Sequence, residues 1–287
     1  MTEHKTKQFP RTEVGGVSLP RLIIGTNWIH GYSHTSYAAD MDIKQTHKTP
    51  ENAMEIYKTF GGFGIDAVMG GNLSNNSGVC ESIKRYEDIA GKKLIKIDTP
   101  IINVDDTKEA RSEAEATVKN SAKNGAQFCF LHHSSAEQLV NKNKRIIDRL
   151  PDYLSMIRDN GMIPGLSAHM PELIIYSDLN NYDVESYIQI FNCMGFLMQI
   201  EIESIIQIIR NAKKPVMTIK PMAAGRVSPY VGLTFNWNAI RERDMIAVGC
   251  KTHFEAFEDV EISFAALEKR LPDLEGRGSP NKTDIIK

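Results

Sequence analysis

The stretch QFCFLHHSS (127–135) decides how this chain is read. Phe128, Cys129, Phe130 and Leu131 form a short apolar run, bounded by Gly125 on one side and by Ser134 and Ser135 on the other, that breaks into His132 and His133. A run too short for a helix and apolar at every position fits a strand buried on both faces, as in a parallel sheet covered by helices. Its last residues then stand at the strand's carboxyl end. In parallel α/β folds the loops converge there and place side chains from several strands around one cavity.

Outward from this strand the same alternation runs in both directions. Apolar runs at 22–24, 65–69 and 94–97 precede it, and runs at 162–166, 187–191, 216–219 and 245–248 follow. Helical segments separate them. Thr49 with Pro50 starts one whose stripe is Ala53, Met54, Ile56, Tyr57 and Phe60; others run near 79–89, from Asp106 or Thr107 to Lys123, and over 136–159, broken at Pro151. Pro171 opens another, 200–211 forms the next, and Thr252 caps a last helix with Phe254, Phe257, Val260, Phe264 and Leu267 at helical spacing. Eight strands alternating with helices predict a single (β/α)8 TIM barrel over 1–271, and the length of 287 residues matches the about 250 typical of that fold. The first strand is followed by a long loop, 27–49, of the kind that forms lids or binding surfaces. Residues 272–287 read as a loose tail.

Composition removes several classes of function. The 34 basic and 36 acidic side chains nearly cancel and form no basic block, so nucleic acid is not the expected partner. No apolar run approaches the ~20 residues of a membrane span, and the polar opening MTEHKTKQFP does not resemble a signal peptide, so the expected location is the cytoplasm. Cys80, Cys129, Cys193 and Cys250 lack CxxC spacing and read as free thiols. The expected partner is a small-molecule substrate; composition leaves the oligomeric state open.

The closing segments KPVMTIKPMAAGR (214–226) and DMIAVGCKTHFEAFED (244–259) resemble those of aldo-keto reductases. VSLPRLIIGTNW (17–28) is similar to that family's first strand, and FLHH (130–133) and GLSAH (165–169) fall where its fourth and fifth strands end. The resemblance implies the barrel, and it implies carbonyl reduction with NADPH by a tyrosine, a lysine, an aspartate and a histidine. Only the histidine is matched, at His132. Met69 takes the aspartate's place, Gly70 to Ser74 supply no tyrosine, and Pro100 replaces the lysine. Of the positions that hold the nicotinamide in the family, Ser167 and Gln189 match, while Ala168 and Ile219 replace an asparagine and a stacking aromatic. Gly249, Cys250 and Glu255 fall where members carry lysine, serine and arginine on the 2′-phosphate. A carboxylate there repels a phosphate, although Lys251 and Thr252 at the helix start are placed to hold an anion. These departures weigh against NAD(P)H as the cofactor.

Six histidines, His30, His34, His47, His132, His133 and His169, fall at strand carboxyl ends or in the loops that follow. Strand parity points His132 inward, puts Ser167 and His169 on one inward face, and places Asp98 inward as well, while His133 points away. Neighbouring strands lie ~4.8 Å apart, so Asp98, His132 and His169 are expected to converge. Such a triad suits a divalent metal site with open positions, or metal-free acid–base work in which Asp98 orients an imidazole. Lys220 serves either as an oxyanion or enolate stabiliser. Asn27, Trp28, His30, Tyr32, His34, Ser167, Gln189 and Asn192 complete the expected substrate lining, with Trp237 as a further aromatic wall. The reading is a non-redox lyase, isomerase or hydrolase acting on a small polyhydroxylated or carbonyl substrate such as a sugar or sugar acid. Its alternatives are a diverged NAD(P)H-dependent reductase and a ligand-binding barrel without turnover.

Overall fold

Eight of the apolar runs close into a parallel barrel in the computed structural model, which describes residues 7–274. A hairpin, β1 (Arg11–Val14) and β2 (Val17–Pro20), comes first. The barrel follows as β3 (Leu22–Gly25), β4 (Ala67–Gly71), β5 (Ile95–Thr99) and β6 (Phe128–Leu131). A short excursion, β7 (Val140–Asn141) paired with β8 (Ile146–Ile147), interrupts it. It resumes with β9 (Ile163–Ala168), β10 (Ser186–Ile190), β11 (Val216–Ile219) and β12 (Met245–Gly249), which pairs back onto β3.

Helices follow the strands. They are α1 (Asn27–His30), α2 (Tyr37–Thr46), α3 (Pro50–Gly62), α4 (Ser77–Ala90), α5 (Lys108–Lys123), α6 (His133–Ala136), α7 (Leu150–Asp159), α8 (Glu172–Asn180), α9 (Ile202–Asn211), α10 (Pro229–Ala239) and α11 (His253–Glu268). The longer ones form the outer ring, and the short α1 and α6 stand at the barrel mouth. Two of the expected caps operate: Thr107 accepts from the Ala110 amide at 3.1 Å, and Thr252 with Glu255 forms a reciprocal capping box; Thr49 stands at the N-cap of α3 before Pro50, but its side chain makes no capping hydrogen bond.

Period-two alternation divides each strand between two cores. Inward side chains, among them Ile23, Ala67, Ile97, Phe128, Phe130, Ile188, Met217 and Met245, fill the barrel, and alternate residues such as Ile24, Val68, Cys129 and Leu166 pack outward against the helices. Gly165 is required by this filling, because a Cβ there would lie 2.5 Å from the Phe130 ring. Fully burying an aromatic side chain contributes ~2–3 kcal/mol, and Phe128 and Phe130 pack edge to face within the barrel. Val14 and Leu19 of the hairpin belong to the same inner core, so the segment before the first barrel strand seals the amino-terminal end of the barrel. Its turn needs two left-handed residues, supplied by Gly15 (φ 56°) and Gly16 (φ 80°).

Other boundaries differ from the sequence reading. The 27–49 loop carries α1 and α2. The 136–159 segment contains the β7–β8 hairpin, and Pro151 lies at the start of α7. Phe254 and Phe257 of the expected α11 stripe are exposed, whereas Val260 and Phe264 are buried. Asp273 donates its amide to Glu261 at 2.7 Å and Leu274 packs on the outer core, so the expected loose tail is held at its start; residues 275–287 lie outside the described residues. All four cysteines are free. Among the described residues no helix is long and apolar enough to cross a membrane.

Candidate active site

The carboxyl ends of the barrel strands open into a cavity of about 520 Å³. The inward parity that fills the barrel below sets the residues on its floor and walls: Met69 and Gly71 of β4, Thr99 of β5, His132 after β6, Ser167 and His169 on and after β9, and Ile219 and Lys220 at the end of β11. Asn27, Trp28 and His34 line it from the first long loop.

His132 is the best defined of these groups. The Ser134 amide donates to its Nδ1 at 3.3 Å and the Ser134 hydroxyl lies 2.7 Å from the same nitrogen. With Nδ1 accepting, the ring proton sits on Nε2. A Cβ on Gly71 would lie 3.9 Å from that Nε2, so the glycine leaves the N–H edge open to the cavity. Burial, helped by the neighbouring His133 ring, lowers the His132 pKa to about 4. The imidazole is therefore neutral at pH 7 and presents a donor.

His169 lines the same cavity, and burial lowers its pKa to about 4. His133, expected to point away, instead inserts between the two: its ring stacks on His169 at 3.8 Å and meets His132 at 4.3 Å. The reason is local, because β6 ends at Leu131 and His133 begins α6, where strand parity no longer applies. Glu137, which the sequence reading missed, holds this wall. It accepts from the amides of His169 and Met170, each at 2.7 Å, and its other oxygen lies 3.8 Å from His133 Nδ1. Burial works to raise the Glu137 pKa, but these hydrogen bonds outweigh it and hold the carboxyl below its usual range.

Lys220 completes the wall. Desolvation by burial lowers its pKa to about 8, and its Nζ has no carboxylate or hydrogen-bond partner among the described residues. Its backbone is left-handed at φ 58°.

Several expected members do not join the cavity. Asp98 points out of the barrel, because the apolar Ile97 takes the inward position and carries Thr99 with it. The Asp98 carboxylate is buried beside α5, accepting from the amides of Leu73 (2.8 Å) and Ser74 (3.4 Å) and from Ser121 Oγ (2.7 Å). The Asp98–His132–His169 triad therefore does not form, and Thr99 rather than Pro100 faces the cavity at the family's lysine position. Gln189 also faces outward, in register with Ala168 and Thr218, while Ile188 points in. Asn192 shapes its own loop, accepting from Phe196 N at 2.9 Å and donating to Phe196 O at 3.0 Å.

His30 is a structural clamp between Thr26 Oγ1, at 3.1 Å, and the Asn76 side chain. Tyr32 is 58% exposed and not among the lining residues. His47 ends α2 away from the cavity, and Trp237 is buried against Phe9 and Arg21.

The wall next to β11, formed where its neighbour β12 leads into α11, is acidic: Glu255, Glu258 and Asp259 line it. Glu255 Oε2 accepts from the amides of Lys251 (2.6 Å) and Thr252 (3.2 Å), and Thr252 Oγ1 accepts from Glu255 N (3.2 Å). The anion-binding amides of this helix start are thus satisfied by the chain's own carboxylate. Lys251 Nζ is paired with Asp42 at 2.8 Å. Asp259 is buried, takes a hydrogen bond from Cys250 Sγ at 3.3 Å, and has its pKa raised to about 8 by desolvation and by the Glu255 and Glu258 charges.

These residues match neither of the two groups weighed from the sequence, the nicotinamide nucleotide and the divalent metal. Of the four nucleotide candidates only Ser167 faces the cavity; Gln189 is turned out, Lys251 is paired, Thr252 is spent as a cap, and a phosphate would meet Glu255. The proposed metal triad lacks its carboxylate, and among the described residues no three histidine, cysteine or acidic side chains converge as a metal site.

No protein-family model and no curated protein matches the chain. Solved structures do match. A protein described as an aldo-keto reductase from Pseudomonas aeruginosa aligns with a TM-score of 0.65 at 13% identity, over 93% of this chain and 100% of that one. The holo form of an aldo-keto reductase from Bacillus halodurans gives 0.60 at 12% identity, over 96% and 94%. A truncated 3-deoxy-D-arabino-heptulosonate 7-phosphate synthase from Thermotoga maritima gives 0.55 at 13% identity, over 91% and 92%. The chain therefore has an aldo-keto-reductase-like TIM barrel, and the synthase shares the barrel fold.

Proposed function

We propose that this protein is a non-redox enzyme, an isomerase or lyase, that moves a proton at the carbon next to the carbonyl of a small sugar or sugar acid. The observation that carries the reading is the neutral His132, whose Nε2–H is held open to the cavity by the Ser134 contacts to Nδ1 and by the missing side chain at Gly71. A substrate carbonyl oxygen accepts from that N–H. Negative charge developing on the oxygen is stabilised by that N–H, in a site where burial strengthens the interaction and where Lys220 lines the same cavity. His169, neutral at pH 7, accepts the proton from carbon. Thr99, Ser167 and Asn27 offer hydroxyl and amide contacts to substrate hydroxyls, and Trp28 offers an apolar face. The fold neighbour named for a heptulosonate phosphate agrees with a polyhydroxylated substrate.

No tyrosine is among the cavity-lining residues, so a reductase has no phenol to donate a proton; the residues that favour that second reading are His132 and Ser167. The test is proton exchange in D2O with a panel of aldoses, ketoses and 2-keto sugar acids, followed by NMR. At least one compound is expected to lose its α-proton signal, with the rate reduced ~10²–10³-fold in His132→Ala. No exchange in any of them, together with micromolar binding of NADPH or NADH, overturns the proposal.

A further inference from the structure

Lys220 is built differently from the other cations near the cavity. Lys251 is neutralised by Asp42, and Arg226 lies over the Phe196 ring at 4.0 Å and donates to the His34 carbonyl. Lys220 has no such partner and faces the open cavity. The groups that act on it electrostatically are the imidazoles of His34 from the first loop, His132 after β6 and His169 after β9. An imidazole is neutral or cationic, so none of the three supplies a counter-charge to hold the ammonium.

The backbone adds a second observation. Lys220 is left-handed immediately before Pro221, and after Pro221 and Met222 the backbone turns left-handed again at Ala223 (φ 48°), Ala224 (φ 57°) and Gly225 (φ 81°). A non-glycine residue held there costs ~1–2 kcal/mol, and strain of this kind concentrates where a side chain must be aimed. A fixed positive charge alone does not call for lysine, since arginine supplies one with better hydrogen-bonding geometry. Lysine differs in having an amine that can lose its proton and attack.

We propose that Lys220 is a covalent catalyst whose Nζ condenses with the substrate's carbonyl carbon to form an imine, an inference that rests on the carbonyl reading of this cavity. The free amine adds to the carbonyl carbon, forming the C–N bond while the C=O π pair moves to oxygen. One nitrogen proton transfers to that oxygen, giving a carbinolamine. The hydroxyl then leaves with the second nitrogen proton, so amine and carbonyl become imine and water with no oxidant or reductant. Protonated, the C=N unit withdraws electrons more strongly than the carbonyl did, and the adjacent C–H gives its proton to His169 with the electron pair stored on nitrogen. His132 Nε2–H hydrogen-bonds the oxygen through addition and departure.

Burial supports the attack. With a pKa of about 8, about 1 in 10 molecules carries the free amine at pH 7, against about 1 in 3,000 for an ordinary lysine.

Trapping tests the step directly. The wild-type protein is treated with dihydroxyacetone and sodium cyanoborohydride at pH 7, digested and mapped by mass spectrometry. The expected result is a reduced adduct that accumulates on the Lys220 peptide ahead of every other lysine and is absent in Lys220→Arg. The arginine variant, with the charge kept, is expected to lose D2O exchange at least 100-fold while keeping the wild-type melting temperature. Adducts confined to other lysines overturn the imine. So does wild-type exchange in Lys220→Arg, and if His132→Ala remains inactive that result leaves the carbonyl reading standing. Absence of both adduct and exchange in the wild type removes the two together.

Discussion

The histidine wall and the acidic wall of the cavity are both made of strand ends running into helix starts, yet they dispose of charge in opposite ways. On the wall formed by β6, β9 and β11, the Nε2–H of His132 and the Nζ of Lys220 face the cavity without internal partners, and burial keeps His132 neutral. On the wall formed by β12 and α11, Glu255 spends its carboxylate on the chain's own amides and Asp259 takes a thiol hydrogen bond. The difference teaches which wall can act on a ligand. Polar atoms already satisfied inside the fold hold structure, and unsatisfied ones at an open cavity are available for chemistry.

Breaking the histidine wall has the largest expected effect. His132→Ala lowers α-proton exchange ~10²–10³-fold with a stability change of about 1 kcal/mol, read by NMR and thermal melting, because the ring lines a cavity and packs little core. Asp98→Ala does the reverse: two amides and a hydroxyl lose their buried acceptor, costing about 3 kcal/mol, while exchange per folded molecule is unchanged. Lost exchange with an unchanged melting temperature would place Asp98 in the chemistry after all.

Smaller effects sharpen the acidic wall. Glu255→Ala removes half of the capping box, costs about 1 kcal/mol, and frees the amides of Lys251 and Thr252, so inorganic phosphate should raise the variant's melting temperature and leave the wild type's unmoved. The smallest effect is a pH slope. His30, His132 and His169 have folded pKa values near 4, below the unfolded value of 6.5, so between pH 6.5 and 4 the unfolded chain binds protons that the fold excludes. Stability therefore falls as pH drops through that window. Asp259 acts in the opposite sense, because its folded pKa of about 8 lies above the unfolded 3.8 and its contribution grows as pH falls. Asp259→Asn removes that opposition, and its melting temperature should fall more steeply than the wild type's between pH 7 and 5.

Much of the barrel was legible because its strands are short apolar runs between helix caps, and Thr107 and Thr252 cap as their positions suggest. His132, Ser167, His169 and Lys220 were legible for the same reason, since a strand's carboxyl end is readable from its run. Parity was harder. The segment IKIDT alternates Ile95, Ile97 and Thr99 on one face with Lys96 and Asp98 on the other, and counting from Pro100 instead of from the isoleucines turned Asp98 inward. Helix α10 escaped because its buried face includes Gly232 and Asn236, which blur the apolar period; a Cβ on Gly232 would lie 2.6 Å from the Pro221 carbonyl. Glu137 bonds an amide 32 residues away, and no local pattern encodes such a contact.

The contrast between the walls is tested most directly by titrating the wild type and Glu255→Ala with NADPH and NADH, following the fluorescence of Trp28, which lines the cavity against Gly249. The wild type is expected to show no saturable binding of either nucleotide up to millimolar concentration, and NADPH binding becomes measurable once the Glu255 carboxylate is gone. Micromolar binding of NADPH by the wild type would contradict it, showing that the acidic wall admits the phosphate and that the barrel has kept redox chemistry.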